Sequence, residues 1–163
     1  SKIGLMIKSK ENFDDNIFLT KELINESIQK FCQPRLRPEF PKKLLKTRSN
    51  KKISKIGCTD SSDGLFQALL DLSIESNCKA IIDYKKIPKH KNWPLGDKWD
   101  EYYFFGGEDY ELIFSLPRKW ANNLLKLDKS ITEIGYFTKG TPSINFTNLK
   151  NNNLLKHKSF SHF

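Results

Sequence analysis

From residue 53 onward the apolar residues switch several times between strand-like alternation and helical spacing. That switching restricts the possible folds more than any other feature. Ile53 to Thr59 reads as a short strand, after which Leu65, Ala68, Leu69 and Leu72 share one helical face. Ala80 to Tyr84 reads as a strand and Asp97 to Phe104 as a short helix. Tyr110 to Leu116, rich in aromatic and β-favouring residues, is the clearest strand. Pro117 suits the first turn of a helix reaching about Leu127. Ile131 to Phe137 and Ser143 to Phe146 read as a strand pair joined through Lys139-Gly140. Strands alternating with helices, closed by a terminal hairpin, predict an α/β (α+β) domain: a mixed sheet covered by helices.

Upstream, Ile17, Phe18, Leu23, Ile24, Ile28 and Phe31 predict an amphipathic helix over about Ile17 to Phe31. Pro34, Pro38 and Pro41 then predict an extended crossing from Gln33 to Pro41. The apolar burst Ile3, Leu5, Met6 and Ile7 has no cap ahead of it, as if its element continued upstream. The 163 residues suit one domain, taken as 1–163. No apolar run is long enough for a bilayer-spanning helix, and no charged-then-apolar leader opens the chain, so no membrane partner is expected. Cys32, Cys58 and Cys78 form no CxxC pair; the expectation is reduced, mostly buried thiols in a cytoplasmic protein.

The net charge of +9 comes almost entirely from lysine, in a chain also rich in Asn and Ile, a composition often set by genome bias. A basic surface favours anionic ligands. Residues 41–55 carry seven cations (Lys42, Lys43, Lys46, Arg48, Lys51, Lys52 and Lys55) and no acid, the best case for a nucleic-acid-binding module. The stretch has no aromatic to stack on a base, and no zinc or RNP signature accompanies it. A solvated basic face is the preferred reading, and nucleic acid is not expected as a partner.

Two acidic motifs stand out against this background. Asp60-Ser61-Ser62-Asp63-Gly64-Leu65 lies where a strand hands over to a helix, a junction that offers free N–H groups and a positive dipole end to phosphate. Asp60 and Asp63 supply hard oxygens suited to Mg2+. A plain helix cap made by Ser62 or Asp63 is the competing reading. Gly106-Gly107-Glu108-Asp109-Tyr110-Glu111-Leu112 joins a tight turn to the best strand. Ordinary turn-then-strand alternation, with Tyr110 on one face and Glu111 on the other, explains it equally well.

In this order the two motifs resemble the C-terminal domain of thiamine-monophosphate kinase. Leu36-Arg37-Pro38-Glu39, Ile82-Asp83 with Ile87-Pro88, Ile134-Gly135 through Gly140, and the ending Phe160-Ser161-His162-Phe163 are similar to further signatures of that family. The resemblance covers essentially the whole chain. It implies the fold of the aminoimidazole-ribonucleotide-synthetase superfamily, with the active site between an N-terminal and a C-terminal α/β domain. It implies transfer of the ATP γ-phosphoryl to thiamine monophosphate, with Mg2+ as cofactor. Asp60 and Asp63 would hold the metal, Ser62 would contact ATP, and Glu108 and Phe160 would contact substrate. It also implies a homodimer when the protein is full length. The ATP- and metal-binding N-terminal domain is not in this sequence, so the fragment alone is expected to be inactive. Phe105 and Ser159 stand where the family usually has a small polar residue and a glycine. His162 is read as structural. Selenophosphate-synthetase-like and hydrogenase-maturation-like domains are the alternatives within the superfamily. Gly135 to Thr141 mimics the glycine spacing of a P-loop without its lysine, so P-loop chemistry is not expected.

Overall fold

The computed structural model describes residues 1–10, 19–49 and 55–149. Its most buried strand organises the rest. Strand β2 (Cys78–Asp83) carries Ala80 and Ile82, both essentially inaccessible, and pairs along both edges. On one side runs β4 (Gly135–Lys139), antiparallel; on the other runs β5 (Ser143–Thr147), parallel. This is the expected mixed sheet, but the expected 131–146 hairpin does not form. The chain between β4 and β5 steps across two strand spacings, roughly 10 Å, so that β2 satisfies its backbone groups on both edges.

Helix α4 (Leu65–Glu75) and helix α5 (Asp97–Phe105) cover this sheet. Leu69, Ala80, Ile82, Ile87 and Phe104 form the central core, with Phe104 packed edge-on against Phe146 at 4.9 Å between ring centres. Ser73 of α4, fully buried, donates to Cys78 O and accepts from Ser143 N, fastening the helix over β2 and β5. Lys89 sits 4.1 Å from the Tyr84 ring centre and reaches Asp100 at 2.5 Å, which ties the segment after β2 to α5. A second core joins helix α1 (Lys2–Lys8) and helix α2 (Lys21–Cys32) to α5 through Ile3, Leu23 and Trp99.

The other two strands stand apart from this sheet. Strand β1 (Gly57–Asp60) pairs antiparallel with β3 (Leu112–Ser115), Gly57 opposite Ser115 and Asp60 opposite Leu112. Beside them helix α3 (Phe40–Thr47) packs on helix α6 (Arg118–Leu127). Phe40 stacks on Phe114 at 4.5 Å, and Trp120 Nε1 donates to Leu44 O.

Four further expectations change. Helix α3 begins where an extended crossing was expected to end, because Pro41 falls in its first turn, where a missing N–H costs nothing. The basic stretch is therefore partly helical, and Lys43 is drawn into an ion pair with Asp128 at 2.8 Å. Helix α4 has Gly64 as its N-cap residue, in place of Ser62 or Asp63. The strand expected from Tyr110 starts only at Leu112, since Tyr110 has φ +52° and cannot alternate with Glu111. The cysteines are free, but Cys32 and Cys58 are exposed and Cys78 is half-buried. No helix among the described residues is long and apolar enough to cross a membrane.

Candidate phosphate and metal site

The two acidic motifs fold as facing loops at one end of the β1–β3 ribbon. Beyond the last ladder pair, Ser61 N donates to Glu111 O at 3.0 Å. Glu111 N donates in return to Ser61 Oγ at 3.0 Å. One step further, Glu108 N donates to Ser62 O at 2.7 Å. The first loop is closed internally as well: Asp60 Oδ1 accepts from Ser62 N at 3.1 Å and from Ser62 Oγ at 2.7 Å. That is an Asx turn, a common use of a short carboxylate before a helix. Gly64 N donates to Ser61 O at 3.1 Å. Gly64 has φ +93°, and a Cβ there would lie 2.9 Å from Phe104 O, so only glycine lets the first loop lie against the chain entering the second.

The second loop is bent by two left-handed residues, Glu108 (φ +69°) and Tyr110 (φ +52°), either side of Asp109. Non-glycine residues adopt such angles infrequently, and bulky ones least of all. The path brings Tyr110 Oη, as donor, to 2.6 Å from Glu108 Oε2. This hydrogen bond, then the Glu108 charge and burial, then the charges of Asp60 and Asp63 push the Tyr110 phenol pKa up. Asp60, Asp63 and Glu108 thus act on one phenol from both motifs. Asp109 Oδ1 lies 2.6 Å from the Ser1 nitrogen. Arg37 donates to both Glu111 oxygens, at 3.0 and 3.4 Å, and so ties the Arg-Pro segment to the second motif.

The structure therefore brings Asp60, Ser62, Asp63 and Glu108 together. Phe160 lies outside the described residues. Ser61, Arg37 and Tyr110 have positions in this site that the sequence did not reveal. Ser61, only 5% exposed, continues the alternating burial of β1 one residue past the strand.

The donor set fits magnesium. Asp60 commits Oδ1 to its turn and keeps Oδ2, and Asp63 adds a second carboxylate; Mg2+ is commonly held by one or two carboxylates and keeps several waters. Among the described residues, the one group of three potential ligands whose atoms lie within 4.8 Å of one another is Glu22, Glu26 and His90, which is already engaged internally. His90 Nδ1 accepts from Asn92 N at 3.0 Å, so the neutral ring carries its proton on Nε2, facing Glu26 at 3.4 Å. Lys91 and Asn92 both donate to Glu22.

A helix-covered mixed sheet with a separate ribbon carrying two stapled acidic loops defines this chain as a mixed α/β domain. The chain matches the C-terminal half of the thiamine-monophosphate kinases and spans about half the length of the curated relatives it matches. It is 32% identical over 163 residues to the thiamine-monophosphate kinase of Prochlorococcus marinus, covering 100% of this chain and 49% of that protein. It is 31% identical over 150 residues to that of Nitrosopumilus maritimus, covering 88% of this chain and 45% of the relative. Among solved structures, thiamine-monophosphate kinase from Stenotrophomonas maltophilia K279a superposes with a TM-score of 0.66 at 22% identity, over 88% of this chain and 45% of that one. AaThiL complexed with AMPPCP and TMP superposes with a TM-score of 0.64 at 24% identity, over 100% of this chain and 48% of that one. At these identities the two structures speak for the fold. No family model matches the chain.

Proposed function

We propose that residues 1–163 are the C-terminal lobe of a thiamine-monophosphate kinase, an enzyme moving the ATP γ-phosphoryl onto thiamine monophosphate to give thiamine diphosphate. The observation that carries this reading is the stapling of the 60–63 loop to the 106–111 loop through Ser61–Glu111 and Ser62–Glu108. That contact holds the loop of Asp60 and Asp63 against the loop of Glu108. A relative of the same fold was solved with AMPPCP, an ATP analogue, and TMP.

An oxygen of the acceptor phosphate attacks the γ-phosphorus, the bond to the β,γ-bridging oxygen breaks, and ADP departs with that electron pair. The acceptor oxygen is already ionised, so the site needs no general base, and carboxylates serve better as metal ligands. Asp60 and Asp63 would hold Mg2+, which would offset charge on the phosphates. Ser62 would contact ATP. Glu108 and Phe160 would contact thiamine monophosphate, an aromatic face being suited to its cationic ring. An N-terminal ATP- and metal-binding domain supplies the remaining ligands, the complete protein forms a homodimer, and it works in the cytoplasm.

The test is formation of thiamine diphosphate from thiamine monophosphate, ATP and Mg2+, followed by phosphorus NMR. The complete protein (this chain with the N-terminal half) should turn over and the chain alone should not. Robust turnover by the chain alone would remove the need for a second lobe. No turnover by the complete protein would reject the activity.

A further inference from the structure

Tyr110 has no role in the reaction proposed above, yet its geometry is specific. It is 39% exposed, so it does not anchor the loop in a core. Its backbone occupies the left-handed region at φ +52°, and so does that of Glu108 at φ +69°. In an extended strand, residues 108 and 110 would lie side by side with their ends in solvent. The doubly bent path instead sets the phenol hydroxyl 2.6 Å from Glu108 Oε2. The other end of Glu108 is fixed as well, since its backbone N–H donates to Ser62 O. No described residue donates to Glu108 Oε1.

We infer that Tyr110 is a positioning residue: its hydroxyl holds one oxygen of Glu108 and reserves the other for a single N–H donor or cationic nitrogen of the substrate. The inference rests on the thiamine-phosphate reading, because it takes Glu108 as the group that meets the substrate. It adds that Glu108 binds with one oxygen rather than two, and that its orientation is set by a residue that need not touch the ligand. A charge-assisted hydrogen bond of this kind is among the stronger single contacts a side chain makes.

The test uses the complete protein with Tyr110→Phe, Glu108→Gln and the double variant. Phenylalanine keeps the ring and removes only the hydroxyl. Tyr110→Phe should raise KM for thiamine monophosphate roughly 10- to 100-fold, the size of one lost hydrogen bond to a charged group. KM for ATP and the melting temperature should not change. The double variant should be no worse than Glu108→Gln alone, because the hydroxyl acts only through the carboxylate. If the wild type is active and Glu108→Gln impairs it, but Tyr110→Phe behaves as wild type, the positioning role is overturned and the functional reading stands. Additive effects in the double variant would overturn it equally. A wild type without thiamine monophosphate kinase activity would overturn both.

Discussion

Ser61 and Glu111 exchange two hydrogen bonds, one backbone to backbone and one from the Glu111 N–H to the Ser61 hydroxyl oxygen, both at 3.0 Å. The serine side chain thus replaces the carbonyl that the β1–β3 ladder would offer at that point. Ser61→Ala should leave the part-buried Glu111 N–H without its acceptor, costing about 1–3 kcal/mol. Ser62→Ala, which loses a hydroxyl on the half-exposed face, should cost less. Urea unfolding of both variants decides, and equal costs would mean that the Ser61 contact contributes nothing particular to stability.

Gly64→Ala should be more damaging than its size implies. The residue sits at φ +93°, and the added carbon would meet Phe104 O at 2.9 Å, so strain and overlap coincide. Strain alone is on the order of 1–3 kcal/mol. The variant should melt lower, and amide exchange should quicken at Glu108, whose N–H donates to the same loop. Unchanged exchange at Glu108 would show that the two loops hold together without this close approach.

The pH dependence of stability has a definite sign at Asp128. Lys43, at 2.8 Å from Oδ2, and then the Ser130 hydroxyl and N–H on Oδ1 hold this carboxyl below the usual carboxylate range. A group with a depressed native pKa stabilises the fold above its unfolded pKa, about 4 for aspartate. That contribution is lost as pH falls through the native pKa. The melting temperatures of wild type and Asp128→Asn should therefore differ by a constant amount above about pH 5 and converge only on strong acidification. A difference that stays the same down to the lowest accessible pH would contradict the pairing.

The elements were legible wherever periodicity and punctuation agreed: α4, α5, α6, β2 and β5 lie close to where the apolar pattern puts them. The pairing of β4 and β5 was not legible, because a short Gly140-containing connection looks like a hairpin. Only the competition for the edges of β2, with buried Ala80 and Ile82, separates the two strands. Helix α3 was hidden by Pro41, which both ends an extended segment and opens a helix. In the site, the strand-to-helix motif pointed to Asp60 and Asp63 as hard oxygen donors, and the family resemblance pointed to Glu108. Their juxtaposition depends on Ser61, Gly64 and the left-handed angles of residues 108 and 110, which are properties of the folded chain. The Arg37–Glu111 bridge joins residues 74 positions apart, beyond the reach of any local pattern.

The proposed reaction requires Asp60 and Asp63 to be metal-holding groups rather than parts of a turn. Asparagine keeps the side-chain oxygen that accepts from Ser62 N, so Asp60→Asn should preserve the turn, and Asp63→Asn should preserve size. The decisive measurement is turnover of thiamine monophosphate by each variant of the complete protein across a magnesium titration, with melting temperature recorded alongside. The expected result is a fall in kcat of roughly 100-fold or more, from loss of several kcal/mol of metal-mediated charge stabilisation, with melting nearly unchanged. Near wild-type turnover at every magnesium concentration would contradict it, and would leave Asp60 and Asp63 as residues that only shape the loop.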